Sequence, residues 1–270
     1  MGRITGGDCT AFGFLTIAAM IIFWFEIVIV KPYMIDHKHQ YIWFHQCMAI
    51  VVLFNLYASL YLLLRTDSST IGLVMPANLL PGWHYCLICE ANSPPRSFHC
   101  KSCDRCILRR DHHCIFSACC VGHSNYKYYM SLLVQVCFGS TYATFFHSSY
   151  IWANMGGLNL WNFFSHFLPI PFFVFGFIDS WILFCNFISM LCIVGAGFSG
   201  GLFIYHTILL LRNQTTHERN NSINDYNLKS WRLNLIEGLG SNWPMTLFIS
   251  PLIDSKLPGD GINFPMGKRS

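Results

Sequence analysis

Four stretches of the chain are apolar at nearly every position, with no helical stripe and no strand-like alternation. Residues 11–30, 45–64, 128–154 and 181–211 each supply the roughly 20 residues that a bilayer-crossing helix requires. The first carries Glu26 as its only charge, and the second carries none. Lys31-Pro32, Arg65 and Arg212 close the first, second and fourth runs. Residues 155–180 are also apolar, but Pro169, Pro171 and Asp179 interrupt them. Prolines break helices and aromatic side chains favour the membrane interface. The segment is therefore expected as an aromatic interfacial loop between the third and fourth spans, with a fifth span as the alternative reading. Residues 66–127 follow neither period, and the Asn-rich stretch 220–227 reads as an exposed linker.

Composition agrees with the pattern. Of 270 residues, 53% are hydrophobic and 11% charged, against about 25% charged in soluble domains. Lys and Arg concentrate in residues 65–127 and 212–270, are absent from 155–180, and number two, Lys31 and Lys38, in 31–44. Positive residues stay on the cytosolic side, so the 66–127 insert and the C-terminal tail are both expected there. The expectation is an all-α polytopic membrane protein. Residues 1–65 would form two transmembrane helices, residues 66–127 a small irregular zinc-bound cysteine-rich cytosolic domain, residues 128–211 two more transmembrane helices, and residues 212–270 a cytosolic tail. Glu26 is expected to reach the interface. The first apolar run is too long for a cleavable signal, and Gly6 stands where myristoylation requires Ser or Thr. The net charge of +4 is modest, and no nucleic-acid partner is expected.

The insert carries the chemistry. Cys86, Cys89, Cys100, Cys103, Cys106, Cys114, Cys119 and Cys120 are interleaved there with His99, His112 and His113. These spacings suit zinc in a reducing compartment better than disulfides. Two closed four-ligand sites need eight donors, and the insert offers more. Pro94-Pro95-Arg96 favours an extended, turning chain, so short hairpins held by metal in place of an apolar core are expected. A zinc-ribbon binding module would explain the cysteine pairs alone. The tetrad Asp111-His112-His113-Cys114 points further, because a thiolate nucleophile needs a base and an orienting carboxylate.

The run His99-Cys100-x2-Cys103-x2-Cys106-x4-Asp111-His112-His113-Cys114-x5-Cys120-x4-Asn125 resembles the signature of the DHHC palmitoyltransferases, as do the preceding Cys86-x2-Cys89 and Pro95-Arg96. Thr215-Thr216-His217-Glu218 resembles that family's TTxE motif. Tyr226, Asn234, Leu239 and Gly240 resemble its aromatic–Asn–Gly element, with one extra residue after Tyr226. The tail 257–262 is similar to that of the animal ZDHHC24-type members. The resemblance implies two structural Zn2+ ions, one on Cys86, Cys89, His99 and Cys106 and the other on Cys100, Cys103, His113 and Cys120. It implies Cys114 as nucleophile, His112 as base and Asp111 as its orienting group, with Thr216 bonded to Asp111. Acyl-CoA, palmitoyl-CoA above all, is the implied co-substrate. Membrane lipids and proteins with cytosolic juxtamembrane cysteines are the implied partners, and an endoplasmic reticulum or Golgi membrane is the implied location.

The sequence departs from the family at Phe116 (usually Trp), Cys119 (usually Asn) and Tyr129 (usually Phe), and Asp67-Ser68-Ser69 stands where Asp-Pro-Gly is common. These departures keep a second reading in view, a zinc-stabilised membrane adaptor with weak or no catalysis. A transporter is disfavoured by the lack of a set of intramembrane charges. Cys119 is open to three readings: a ninth ligand, an auxiliary acyl acceptor or a bystander. Arg109 and Arg110 are expected at lipid headgroups or CoA phosphates, and His84 and His123 on the surface. Cys9, Cys47, Cys137, Cys185 and Cys192 are expected as small packing residues in or near the spans.

Overall fold

The computed structural model describes residues 6–267. The described residues are mostly helical, and among them three helical segments are long and apolar enough to cross a membrane: Gly7–Asp36, Ile42–Arg65 and Ser180–Leu211. The first comprises α1 (Gly6–Trp24), a π-helical turn (Phe25–Val30) and α2 (Lys31–Asp36). Lys31-Pro32 therefore does not end the first helix. Pro32 falls in the first turn of α2, directly after the π turn, whose last bond runs from Lys31 N to Glu26 O. The second segment is α3 (Ile42–Arg65). A further helix, α4 (Tyr126–Asn154), has 29 residues and so extends about 44 Å. It is more polar than the other three, because Ser131, Gln135, Ser140, Thr141, Thr144 and His147 interrupt its apolar residues. Residues 155–180 form two short helices, α5 (Leu160–Phe167) and α6 (Pro169–Val174). Neither is long enough to span a bilayer. After α7 (Ser180–Leu211) come three short tail helices: α8 (Thr216–Asn220), α9 (Trp231–Leu239) and α10 (Trp243–Phe248).

Two compact units divide the chain. One comprises residues 17–54 and 134–201. Its core is built on Phe25, Val30, Met34, Ile151, Cys185 and Ile188, with the Phe25 ring edge-on to His147 and Phe184. Glu26 is buried here and meets His147 Nδ1 at 2.7 Å. It does not reach an interface. The π turn places its carboxylate toward α4, and the imidazole gives it a partner away from water. His166, on α5, is bonded in turn to Asn186 on α7 at 2.9 Å. Outside the core, Ile17, Met20, Phe145, Val194 and Phe198 are exposed, as suits side chains that face hydrocarbon.

The other unit comprises, of the described residues, 6–16, 55–133 and 202–267. Its cysteine-rich part is three antiparallel hairpins of three-residue strands: β1 (His84–Cys86) with β2 (Ala91–Ser93), β3 (Phe98–Cys100) with β4 (Arg105–Ile107), and β5 (His112–Cys114) with β6 (Cys119–Val121). The loops contain Glu90, Asp104 and Ala118 at positive φ. Polar bonds fasten the tail to this unit: Asn55 Nδ2 donates to Ile249 O at 2.8 Å, and Lys127 Nζ to Ser255 O at 2.6 Å. At Gly240, φ is +87°, and a Cβ would come 2.6 Å from Ser255 O. Only glycine permits that approach.

Candidate active site

In a strand, successive side chains point to opposite faces. That rule sorts the tetrad. In β5, His112 and Cys114 share one face and His113 takes the other. Across the hairpin, Cys119 is opposite Cys114, and Cys120 is opposite His113. The same sorting acts in the middle hairpin, where His99 is opposite Cys106 and Cys100 points the other way. The result is two groups of converging donors. Cys86, Cys89, His99 and Cys106 form one, and Cys100, Cys103, His113 and Cys120 the other. In each group the ligand atoms lie within 4.8 Å of one another. The His113 Nδ1–sulfur separations are 3.7, 3.3 and 3.7 Å. A tetrahedron with metal–sulfur and metal–nitrogen bonds of the usual zinc lengths has S···N edges of about 3.5 Å. Three thiols and one imidazole at that spacing fit a closed zinc site, and both groups can hold a metal ion.

On the other face of β5, Asp111 Oδ2 lies 2.7 Å from His112 Nδ1. Asp111 is buried and bonded twice by Thr216, whose backbone N donates to Oδ1 and whose hydroxyl donates to Oδ2, both at 2.9 Å. Burial would raise the Asp111 pKa, but the His112 bond and charge, with His206 and the Thr216 N–H, hold it below the usual carboxylate value. Burial would likewise lower that of His112, but Asp111 and Cys114 outweigh it and lift the imidazole to about 9. At Cys114, burial opposes ionisation, whereas His112 and the Ser117 hydroxyl favour it, and the net shift is downward. Cys119 shares the Ser117 contact but lacks His112. Burial pushes its thiol up to about 11, and its nearest polar contact is Ser117 Oγ at 3.4 Å.

Thr215, Thr216 and Glu218 each have a separate task. Thr215 caps α8: its side chain accepts from Glu218 N, and Glu218 accepts in return from Thr215 N, a reciprocal capping box. Thr216 holds Asp111. Glu218 also receives Arg96 through two bonds of 2.7 and 2.9 Å, with both side chains almost fully buried. Tyr226 and Phe264 cover the Arg96 guanidinium at 4.2 and 4.8 Å.

Several residues do not lie where their sequence context suggested. Arg109 is buried, donating to Asn213 Oδ1 at 3.0 Å, so it reaches neither lipid nor solvent. His123 is 3% exposed and bonded to Gly259 O, so it is not a surface residue. Cys185 and Cys192 are buried, whereas Cys9 and Cys47 are exposed. Three participants, His206, Tyr126 and Asp8, had no signal in the sequence. His206, near the end of α7, shares a 2.8 Å hydrogen bond with Tyr126 and lies 3.8 Å from Asp111 Oδ2. Its ring lies 5.4 Å from that of His112, and Tyr129 stands edge-on to both. Asp8 lies 3.2 Å from His113 Nε2. A lone polar residue in or beside an apolar run gives no pattern that distinguishes it from packing.

A model of the DHHC palmitoyltransferase family matches residues 80–223. The chain is 35% identical over 229 residues to the mouse (Mus musculus) probable palmitoyltransferase ZDHHC24, covering 80% of this chain and 76% of that protein. The human (Homo sapiens) protein of the same name is 34% identical over 227 residues, with the same coverage. Palmitoyltransferase erf2 of Schizosaccharomyces pombe is 32% identical over 137 residues, half of this chain and 35% of that protein. With the sorted tetrad, the two donor groups and the capped Thr-Thr-x-Glu turn all present, the chain belongs to the DHHC palmitoyltransferase family, and within it is similar to the ZDHHC24 proteins.

Proposed function

We propose that this protein S-palmitoyltransferase works through Cys114, taking a long-chain acyl group from acyl-CoA and passing it to cysteines of membrane-associated proteins. The observation that carries the reading is the common face of His112 and Cys114, with Asp111 behind the imidazole at 2.7 Å. His112 takes the Cys114 proton. The thiolate attacks the thioester carbonyl of acyl-CoA, the bond to the CoA sulfur breaks, and the proton on His112 passes to the departing CoA. A substrate cysteine then gives its proton to His112 and attacks the Cys114 thioester, which restores the Cys114 thiol. Asp111 holds the imidazole in the productive tautomer and stabilises its cation. His206 and Tyr126 are positioning residues for this pair. Burying the acyl chain in apolar surroundings favours binding by about 0.8 kcal/mol per CH2.

Two Zn2+ ions on the two donor groups would supply cross-links between the short strands, with no open position for substrate. In the membrane, α4 is the third of four spans, between α3 and α7, and the short helices of residues 155–180 lie at the far interface. This arrangement keeps residues 66–127 and 212–270 in the cytosol. An endoplasmic reticulum or Golgi membrane fits this orientation, and the acyl acceptors are cytosolic cysteines near a membrane. Incubating the purified protein with labelled palmitoyl-CoA tests the reading. Hydroxylamine-sensitive label on Cys114 is expected, and its absence from metal-replete protein returns the adaptor reading.

A further inference from the structure

The two metal-binding groups differ behind their histidines. In each, Nδ1 faces the thiols, which leaves Nε2 free to carry the proton. For His99, the carboxylate near Nε2 is Asp104, 3.8 Å away with a side chain 72% exposed. For His113 it is Asp8, 3.2 Å away and 2% exposed, while the His113 side chain itself is 14% exposed. Water competes for Asp104 and is excluded from Asp8. Asp8 lies in the first turn of α1, 105 residues from His113 in sequence. No local constraint of the chain brings them together.

We propose that Asp8 is the carboxylate that fixes His113 from behind. It accepts the Nε2–H, sets the tautomer that presents Nδ1 to the metal, and joins the start of the first membrane helix to the strand that carries Cys114. A metal-bound imidazole ordinarily donates its second N–H to such a group, which fixes the ring's orientation and raises its basicity. Asp104 is too exposed to do the same for His99, so the two sites are unequal. The inference rests on zinc occupying the two donor groups.

Zinc release from the full-length protein in detergent tests it, with excess EDTA as competitor and a colorimetric chelator as readout. Wild-type protein is expected to hold two zinc ions. Asp8→Leu should release one of them about 10- to 100-fold faster and leave the other at its wild-type rate. Asp8→Asn keeps an acceptor oxygen but not the charge, and should fall between the two. Asp104→Asn should change neither rate. Asn matches Asp in size, so accelerated release from Asp8→Asn reports the lost charge rather than a packing defect. Release of both ions at wild-type rates from Asp8→Leu, or equal acceleration of both, overturns the role of Asp8. Wild-type protein that holds no zinc removes the metal reading on which the role rests.

Discussion

Cys114 and Cys119 stand opposite each other in one hairpin, yet their thiols are driven in opposite directions. The difference comes from His112, which reaches the first and not the second. Ser117 contacts both and cannot discriminate between them. His112→Ala removes the group that holds the Cys114 thiol low and leaves the burial that raises it. The pH at which Cys114 ionises should therefore move upward. Iodoacetamide alkylation of Cys114 measured against pH should show that limb displaced to higher pH, with acyl-enzyme formation at neutral pH slower by roughly 100- to 10,000-fold. A limb that stays in place would show that another group sets the thiol. Cys114→Ser should keep both zinc ions and near-normal thermal stability while losing all acyl label. Cys100→Ser, by contrast, should lose metal and destabilise the insert, because metal binding supplies its folding energy. Label that persists on Cys114→Ser would move the chemistry elsewhere, with Cys119 the first site to examine.

Short elements do the connecting. Helix α8 has only five residues, too few for a stable helix by itself. It is held by its capping box and by Arg96, an insert residue 122 positions from Glu218. Glu218→Gln would leave the buried Arg96 charge without its counter-ion, and breaking such a pair typically costs about 3–5 kcal/mol. A lowered thermal midpoint in detergent is the expected result, and an unchanged midpoint would mean that Asn213, Tyr226 and Phe264 suffice to hold the guanidinium. At this scale the sequence was legible where chemistry and spacing are local. The tetrad and the paired cysteines lie within a few residues of one another, and strand alternation alone divides His113 from His112 and Cys114. It was not legible where the decisive contact is distant. The same sequence would serve Arg109 at a lipid surface or beneath Asn213, and only the folded tail selects the second. Pro32 reads as a stop, because its tolerance in the first turn of a new helix depends on the π turn before it.

At the scale of the whole molecule, the proposed cytosolic tail has a chemical test. Asn213-Gln214-Thr215 and Asn220-Asn221-Ser222 both fit the N-glycosylation sequon. Neither should carry glycan, and Asn213 is in any case buried against Arg96 and Arg109. An endoglycosidase-sensitive mass shift mapped to Asn220 would contradict the cytosolic tail. Three apolar helices were plain from their composition. The polar residues along α4 make it the least apolar of the long helices, and it is not among the three that are long and apolar enough to cross a membrane. The hairpins have a consequence of another kind, for inheritance. An insert shaped by eight donor atoms has little apolar core for selection to preserve. Leu87 and Ile88, inside the first cysteine pair, are 82% and 62% exposed, so nothing in the interior constrains their identity. Lineages can therefore diverge at such exposed positions between the ligands and keep the same scaffold, whereas Cys119, half-buried and in contact with Ser117, is not one of them. Kinship in such a segment is carried by the intervals between donors more than by the residues that fill them.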